Sequence, residues 1–422
     1  MAPSFEGWQN CPMPPTPAGL QGHTVVSDWQ LTCGKEHYLA VMSSAFFFGV
    51  LLGAPFVGSL SDSHGRKNAM LVSTLFFLVA SVATAVSTGP YTFAFARALA
   101  GIGVGGMGIT AFVLNAEFLG THRSVLGITT NLSFAVGCMF LSLLAFRSPT
   151  WRSQAWACFL LGLPNLAIMK WVPESPKWYA CRDDDEQVLA VLAYVAKFNG
   201  APLFEPTYTQ ESTPEPAPLS AILKHPLNLR AAVMIMAWFS ASLCYYGLAL
   251  NAGSMGSNIY LTNALGAAVE TPAYLVVIAC IDRPAIGRKM LCVTFFFAAG
   301  AACVNTVMLT PGSTAETVTA LFGRFAISIV FATLYLWGAE LFPTCIRSGA
   351  LGLQSMSARV AGMVAPFVLT SAPSPLVMLG IPATICGGLC LLMDETVGKK
   401  MPDTIEELTG EHVPLVTKKL KE

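Results

Sequence analysis

Eleven apolar runs of about 20 residues, the length needed to cross the hydrocarbon core of a bilayer, succeed one another along a chain of 422 residues. They lie at roughly 38–60, 68–87, 91–116, 124–146, 154–172, 230–250, 258–281, 289–310, 316–340, 349–371 and 374–393. Charged residues make up 11% of the chain and hydrophobic residues 54%, where an ordinary soluble domain carries about 25% charged residues. The expected fold class is therefore all-α and polytopic, with the lipid bilayer as its solvent. Formal net charge is zero, which points to no nucleic-acid partner. Of the 12 cysteines, Cys138, Cys158, Cys244, Cys280, Cys292, Cys303, Cys386 and Cys390 lie inside apolar runs, where they serve as small packing residues. Cys11 and Cys33 lie outside them, and whether they pair outside the cell stays open.

Residues 1–36 are polar and proline-rich, without the basic and apolar regions of a signal peptide. The only long polar segment inside the chain runs from Pro173 to about Leu229. Its stretch from Pro206 to Pro216 is too rich in proline for a continuous helix, whereas Asp183–Tyr194 reads as a short amphipathic helix with an acidic start. The chain thus divides into an outer segment (1–36), a first bundle (37–172), a hinge segment (173–229), a second bundle (230–393) and a tail (394–422). Arg66, Lys67, Arg123, Lys177, Arg182, Lys197, Lys224, Arg230, Arg283, Arg288, Lys289, Arg347, Lys399 and Lys400 fall on one side of the spans, against Lys35, Arg147 and Arg152 on the other. The excess of basic residues places the hinge and the tail in the cytoplasm. Eleven spans then put the N-terminal end outside.

The polar stretch Gly58-Ser-Leu-Ser-Asp62-Ser-His-Gly65-Arg66-Lys67 reads as a glycine-punctuated turn between two spans. A weaker copy, Asp282-Arg-Pro-Ala-Ile-Gly287-Arg288-Lys289, stands in the same setting in the second half, so the two bundles are pseudo-repeats. Arg97-Ala-Leu-Ala-Gly101-Ile-Gly103-Val-Gly105-Gly106 contains a G-x-G-x-x-G, but no strand precedes it and the glycines lie in an apolar run. They are small residues that let membrane helices approach closely, not a dinucleotide loop. The polar segments hold no metal-ligand spacing, nucleophile elbow or phosphate loop, so neither catalytic nor metal-binding residues are assigned and enzyme activity is not expected.

These stretches resemble the signature loops and fourth-helix motif of the major facilitator superfamily. Val172-Pro-Glu174-Ser175-Pro176-Lys177-Trp178, Tyr245-Tyr246-Gly247-Leu248, Val269-Glu270-Thr-Pro272-Ala-Tyr274, Ala339-Glu340-Leu-Phe-Pro343-Thr-Cys-Ile-Arg347 with Ser357-Ala-Arg359-Val, and the tail from Asp394-Glu395 to Glu407 resemble its organic cation, carnitine and anion transporter family. The likeness runs from about residue 24 to 408. It implies a multi-pass transporter of the plasma membrane that moves small organic ions by alternating access. The first bundle would hold helices 2–6 and the second helices 7–12. Thr24–Cys33 resembles the end of the loop after helix 1, so residues 1–36 would be a remnant of that loop.

The resemblance implies two sets of residues. Gly58, Asp62, Gly65, Arg66, Arg97, Glu117, Arg123, Asp282, Arg288, Glu340 and Arg347 would form a conformational gate. Tyr245, Tyr246, Glu270, Tyr274, Arg324 and Arg359 would line the substrate site, with Glu270 and Arg359 facing one water-filled cavity; the alternative is that Arg324 and Glu270 merely pair with each other. Tyr274 stands where the anion carriers have lysine, and Arg359 where the cation uniporters have aspartate. An organic cation or a carnitine-like zwitterion is therefore the expected substrate. An organic anion, or a truncated paralogue that does not transport, is the alternative. No cofactor is implied, and coupling to Na+ or H+ stays open.

Overall fold

The computed structural model describes residues 23–399 except 33, 120–122, 149, 201–218, 224, 226, 252–257, 311, 344 and 373, together with 402 and 405. Cys11 and Cys33, the proline-rich stretch at 206–216 and most of the tail thus lie outside the described residues. Two helices, α1 (Val25–Trp29) and α2 (His37–His64), open the fold. The first half continues with α3 (Arg66–Ala85), α4 (Pro90–Leu119), α5 (Arg123–Arg147) and α6 (Trp151–Ile168). The connecting segment carries α7 (Pro176–Ala180), α8 (Asp185–Asn199) and a 3-10 turn at Leu219–Leu223. The second half holds α9 (Leu227–Asn251), α10 (Ile259–Ala268), α11 (Glu270–Cys280), α12 (Gly287–Met308), α13 (Thr314–Glu340), α14 (Arg347–Ser371) and α15 (Pro375–Cys390).

Every expected span is helical. Among the described residues, eight helical stretches are long and apolar enough to cross a membrane; α6, α14 and the 16-residue α15 fall outside that count. The run at 258–281 is not one helix, because it breaks at Val269 between α10 and α11. Pro272 explains the break: it has no N–H to give the carbonyl four residues back, and its ring crowds that carbonyl. The break sets Glu270 on the first turn of α11, where the helix dipole favours a carboxylate.

The turn expected at 58–67 is also narrower than its sequence suggests. α2 continues through Asp62 to His64, whose side chains are exposed, and the reversal falls on Gly65 alone at φ +96°. Gly287 plays the same part before α12 at φ +63°. These left-handed values favour glycine. The amphipathic helix of the connecting segment starts at Asp185 and not Asp183, which has φ +56°. Asp184 caps it by accepting from the Gln187 N–H at 3.2 Å, and Gly200 ends it.

α4 lies between α2 and α3, and α3 packs on α6; in the second half α12 lies between α13 and α15, while α9 packs on α13, α14 and α15. The halves meet along α2 with α14 and along α5 with α10. α9 is the most enclosed span, whereas α5 is the least and leans on α10 more than on its own half. Backbone contact between α2 and α4 rests on glycine. A Cβ built on Gly101 would stand 2.1 Å from the Phe46 carbonyl oxygen, and one on Gly49 would stand 2.0 Å from that of Ala98.

This contact predicts a contrast within one helix. Gly101→Val should force α2 and α4 apart and lower stability by about 1–3 kcal/mol or more. Gly108→Ala on the same helix, with nothing within 4 Å, should leave it unchanged. Melting temperatures of the purified, detergent-solubilised variants measure the difference, and equal melting would refute the close-packing account.

Candidate functional site

Two constellations emerge, one at the helix ends expected to be cytoplasmic and one deep between the helices. At the cytoplasmic end of the first half, Arg66 opens α3 and reaches across to α4, where its Nε and Nη2 donate to Glu117 at 3.2 and 3.1 Å. Its Nη1 lies 3.3 Å from Asp62, one turn back on α2. The second half repeats the arrangement: Arg288 Nη2 is 3.0 Å from both Glu340 and Asp282.

A further carboxylate completes each copy. Glu174 accepts from the backbone N–H groups of Arg66 and Lys67 at 2.9 and 3.0 Å. Glu395 accepts from those of Arg288 and Lys289 at 3.2 and 2.9 Å. Each thus satisfies the orphan donors that begin a helix. Each lies where a side chain on the preceding glycine would be, 2.3 Å from a Cβ built on Gly65 and 2.2 Å from one on Gly287. Sequence reasoning assigned neither glutamate to the site. The available signal was their parallel setting, since each follows the last span of its half and neighbours a Ser or Thr.

Other residues expected in the cytoplasmic set lie elsewhere. Gly58 is inside α2 with open space around it. Arg97 sits about 30 Å along α4 from Glu117, at 1.5 Å per residue. Its guanidinium lies over the Phe46 ring, 4.7 Å from the centroid, and it makes no hydrogen bond or ion pair among the described residues. Arg347 turns back to the carbonyl of Phe342 at 3.3 Å, leaving Nη2 buried without a partner among the described residues. The side chain of Arg123 lies outside the described residues.

In the deep constellation, Glu270 is 0% exposed. Arg324 on α13 donates to it through Nε at 3.1 Å and Nη2 at 2.8 Å, and the phenols of Tyr245 and Tyr274 add bonds of 2.8 and 3.2 Å. Gly266 makes room for the guanidinium, because a Cβ there would stand 3.2 Å from Nη1. The expectation that Glu270 faces the same cavity as Arg359 is not met in this conformation. An unpaired carboxylate at membrane depth is costly, and this one is neutralised by an arginine and two hydroxyl donors. Cys138 of α5 is a first-half side chain within electrostatic reach of the pair.

Arg359 on α14 is different: half-buried, it makes no hydrogen bond or ion pair among the described residues. Tyr335 lies within its electrostatic reach and is 47% exposed although set deep in the bundle. From Tyr335 a chain of rings runs through Phe331 at 5.8 Å, Tyr245 at 6.0 Å and Tyr246 at 5.3 Å to Phe47 of α2 at 4.5 Å. Trp238 backs Tyr335 at 4.4 Å. Tyr335, Phe331 and Trp238 were missed from sequence, because an aromatic residue in an apolar span carries no mark of which face it occupies.

Among the described residues, the bonds that join the halves lie towards the side opposite the connecting segment, the side expected to be outside. Ser44 donates to the Met363 carbonyl at 2.6 Å, Asn263 donates to the Ser142 hydroxyl at 2.9 Å, and Phe47–Tyr246 and Phe146–Tyr260 are ring contacts. Among the described residues no hydrogen bond or ring contact ties the cytoplasmic ends of the two halves together.

The Glu395 cap predicts a pH signature. Burial pushes this carboxyl up, but backbone N–H donors of Lys289, Val397, Thr396 and Arg288 outweigh burial and hold it below its usual range. A depressed folded-state pKa gives stability that is fully present above the unfolded-state value and is lost as pH falls through the folded-state value. Glu395→Gln should cost about 0.5–2 kcal/mol at neutral pH, as for a lost helix cap. The difference in melting temperature from wild type should shrink as pH falls below the carboxylate range, and a pH-independent difference would contradict the assignment.

Comparison with known proteins places this architecture. Residues 23–407 match the family described as Sugar (and other) transporter. Solute carrier family 22 member 15-like of Xenopus laevis is 34% identical over 94% of this chain and 84% of its own length. Organic cation/carnitine transporter 4 of Arabidopsis thaliana is 30% identical over 94% of this chain and 80% of its own. The xylose transporter XylE of E. coli in its inward-open conformation superposes with a TM-score of 0.68 at 16% identity, covering 89% of each chain, a likeness of fold. With the major facilitator architecture and this degree of identity, the chain belongs to the Sugar (and other) transporter family and, within it, to solute carrier family 22.

Proposed function

We propose that this chain carries small organic ions across the plasma membrane by alternating access, and that its substrate is a zwitterion of the carnitine type. The observation that carries the reading is Arg359, a guanidinium without a protein acceptor at the edge of an aromatic wall. A substrate carboxylate would meet it in a charge-assisted, bidentate pair. The ammonium would rest on Tyr246, Tyr335 or Phe331, a contact worth about 0.5–2 kcal/mol. Glu270 holds Arg324 in this conformation and takes no direct part in binding.

The outer position of the bonds between the halves supports a carrier closed outside and open to the cytoplasm. The cytoplasmic clusters of Asp62, Arg66 and Glu117 and of Asp282, Arg288 and Glu340 then gather within their own halves, free to rearrange when the inner ends meet. A second reading has an observation in its favour. With Glu270 and Arg324 cancelling each other, Arg359 leaves the site net positive, which suits an organic anion as well as a zwitterion.

Uptake of labelled carnitine, tetraethylammonium and benzoate into cells expressing the chain separates these readings. Arg359→Gln should reduce carnitine uptake roughly 10- to 150-fold, the equivalent of losing hydrogen bonds to a charged group worth about 1.5–3 kcal/mol. Tetraethylammonium uptake should hardly change. Glu270→Gln should instead reduce the amount of folded protein, because stranding Arg324 costs about 3–5 kcal/mol. Undiminished carnitine uptake in Arg359→Gln at equal surface expression would end the zwitterion reading. Benzoate uptake in place of carnitine, lost in Arg359→Gln, would establish the anion reading.

A further inference from the structure

α8 carries an apolar face that no described element covers. Val188 and Val191 are buried on one side of the helix, which packs on α7. The other side presents two ridges at i, i+4 spacing, Leu189–Ala193–Lys197 and Ala190–Tyr194–Phe198, with every member exposed. Phe198 reaches 84% exposure. An aromatic ring displayed to that extent, with a tyrosine and a leucine beside it, is not the solvated face of a cytoplasmic helix.

The position of this face identifies its partner. The Tyr194 hydroxyl donates to the carbonyl of Trp171 at 3.2 Å, which fixes α8 beside the cytoplasmic end of α6. Leu160, Leu161, Ile168 and Trp171 are all exposed there. On a membrane span such a stripe faces lipid. The apolar strip of α6 therefore continues through Trp171 on to Tyr194 and Phe198, at the depth where aromatic side chains sit among headgroups. Lys170 and Lys197 flank it with stems long enough to keep their charge in water. Asp183, Asp184, Asp185 and Glu186 crowd the opposite end of α8, with Lys177 and Arg182 nearby. Four carboxylates cannot enter the boundary, so the helix must tilt with its C-terminal half inward.

We infer that α8 is an interfacial helix whose Leu189, Tyr194 and Phe198 face rests in the headgroup–acyl boundary of the cytoplasmic leaflet, beside Trp171. Its partner is the phospholipid surface. Apolar and aromatic area drives the contact, and a zwitterionic bilayer suffices because the helix brings no excess of basic residues. The segment joining the two halves is thereby held to the membrane at its first-half end.

The test uses the full chain in phosphatidylcholine nanodiscs, with Phe198, Tyr194 or Gln187 replaced singly by 4-trifluoromethylphenylalanine. Fluorine relaxation is compared between dissolved oxygen, which concentrates in lipid, and a water-soluble nickel chelate. Oxygen should act roughly threefold or more strongly than the chelate on the Phe198 and Tyr194 labels, and the order should reverse on the Gln187 label at the acidic end. Adding Phe198→Glu to the Tyr194-labelled chain should abolish its oxygen preference. A chelate effect on the Phe198 label as large as on the Gln187 label would overturn the inference in favour of a helix in water. Protection of the Phe198 label from both reagents would overturn it in favour of burial against protein.

Discussion

An ionised side chain in hydrocarbon costs several kcal/mol unless another group neutralises it, and the few charges of this chain are arranged as that cost requires. Glu270 is enclosed and meets an arginine and two phenols. At the cytoplasmic ends the charges are graded. Asp62 and Asp282 are 79% and 81% exposed, while Arg66, Glu117, Arg288 and Glu340 are largely buried. Exposed pairs contribute little, so the arginine–glutamate bonds carry each cluster and the aspartates adjust it from the water side. Among the described residues of the second half, Arg359 lacks a protein partner, which is tolerable only where water or a ligand reaches it.

The same economy explains how the halves move as units. Each is tied back on itself at its cytoplasmic end, the first by Glu174 on the opening turn of α3, the second by Glu395 on that of α12. In the second half Arg230 also pairs with Asp394 at 2.7 Å, and the Trp337 indole donates to the Asp394 carbonyl at 3.1 Å. Among the described residues the specific bonds between the halves are sparse and confined to the side opposite the connecting segment. Rigid bodies joined by a light seam rock about it more readily than they deform. The least enclosed span, α5, belongs to that seam and leans on α10.

The spans and the repeated charged turns were legible in the sequence because each depends on local pattern: apolar run length, or a glycine before a basic pair. The division of the seventh apolar run into α10 and α11 also had a local cause in Pro272, although hydropathy alone runs across it. Pairing was readable only as alternatives. Glu270 was expected to face one cavity with Arg359, or else merely to pair with Arg324; which arginine meets a glutamate depends on helix rotation, and Arg324 takes that place. Glu174 and Glu395 stood in quoted motifs without a role, since a cap on another helix is a tertiary contact more than a hundred residues away in sequence. Arg97 and Arg347 resembled the charged clusters in type and lie outside them for the same reason.

The aromatic wall suggests how a bound substrate could act on the seam. A ligand shifts a conformational equilibrium only by its difference in affinity between the two states. Tyr246 belongs to both places at once: its ring meets Phe47 across the seam and meets Tyr245 within the site. Opening the outer side must part Phe47 from Tyr246, and an apolar ring freed in this way loses its contact unless something replaces it. On the proposed reading, a quaternary ammonium seated on Tyr246 would present methyl groups and positive charge to the same face, and would offset that loss in the outward state more than in the inward one. Arg359, on the α14 helix that packs along α2, would hold the other end of the substrate in either state. The carboxylate would then serve binding, and the ammonium would bias the direction in which the halves rock.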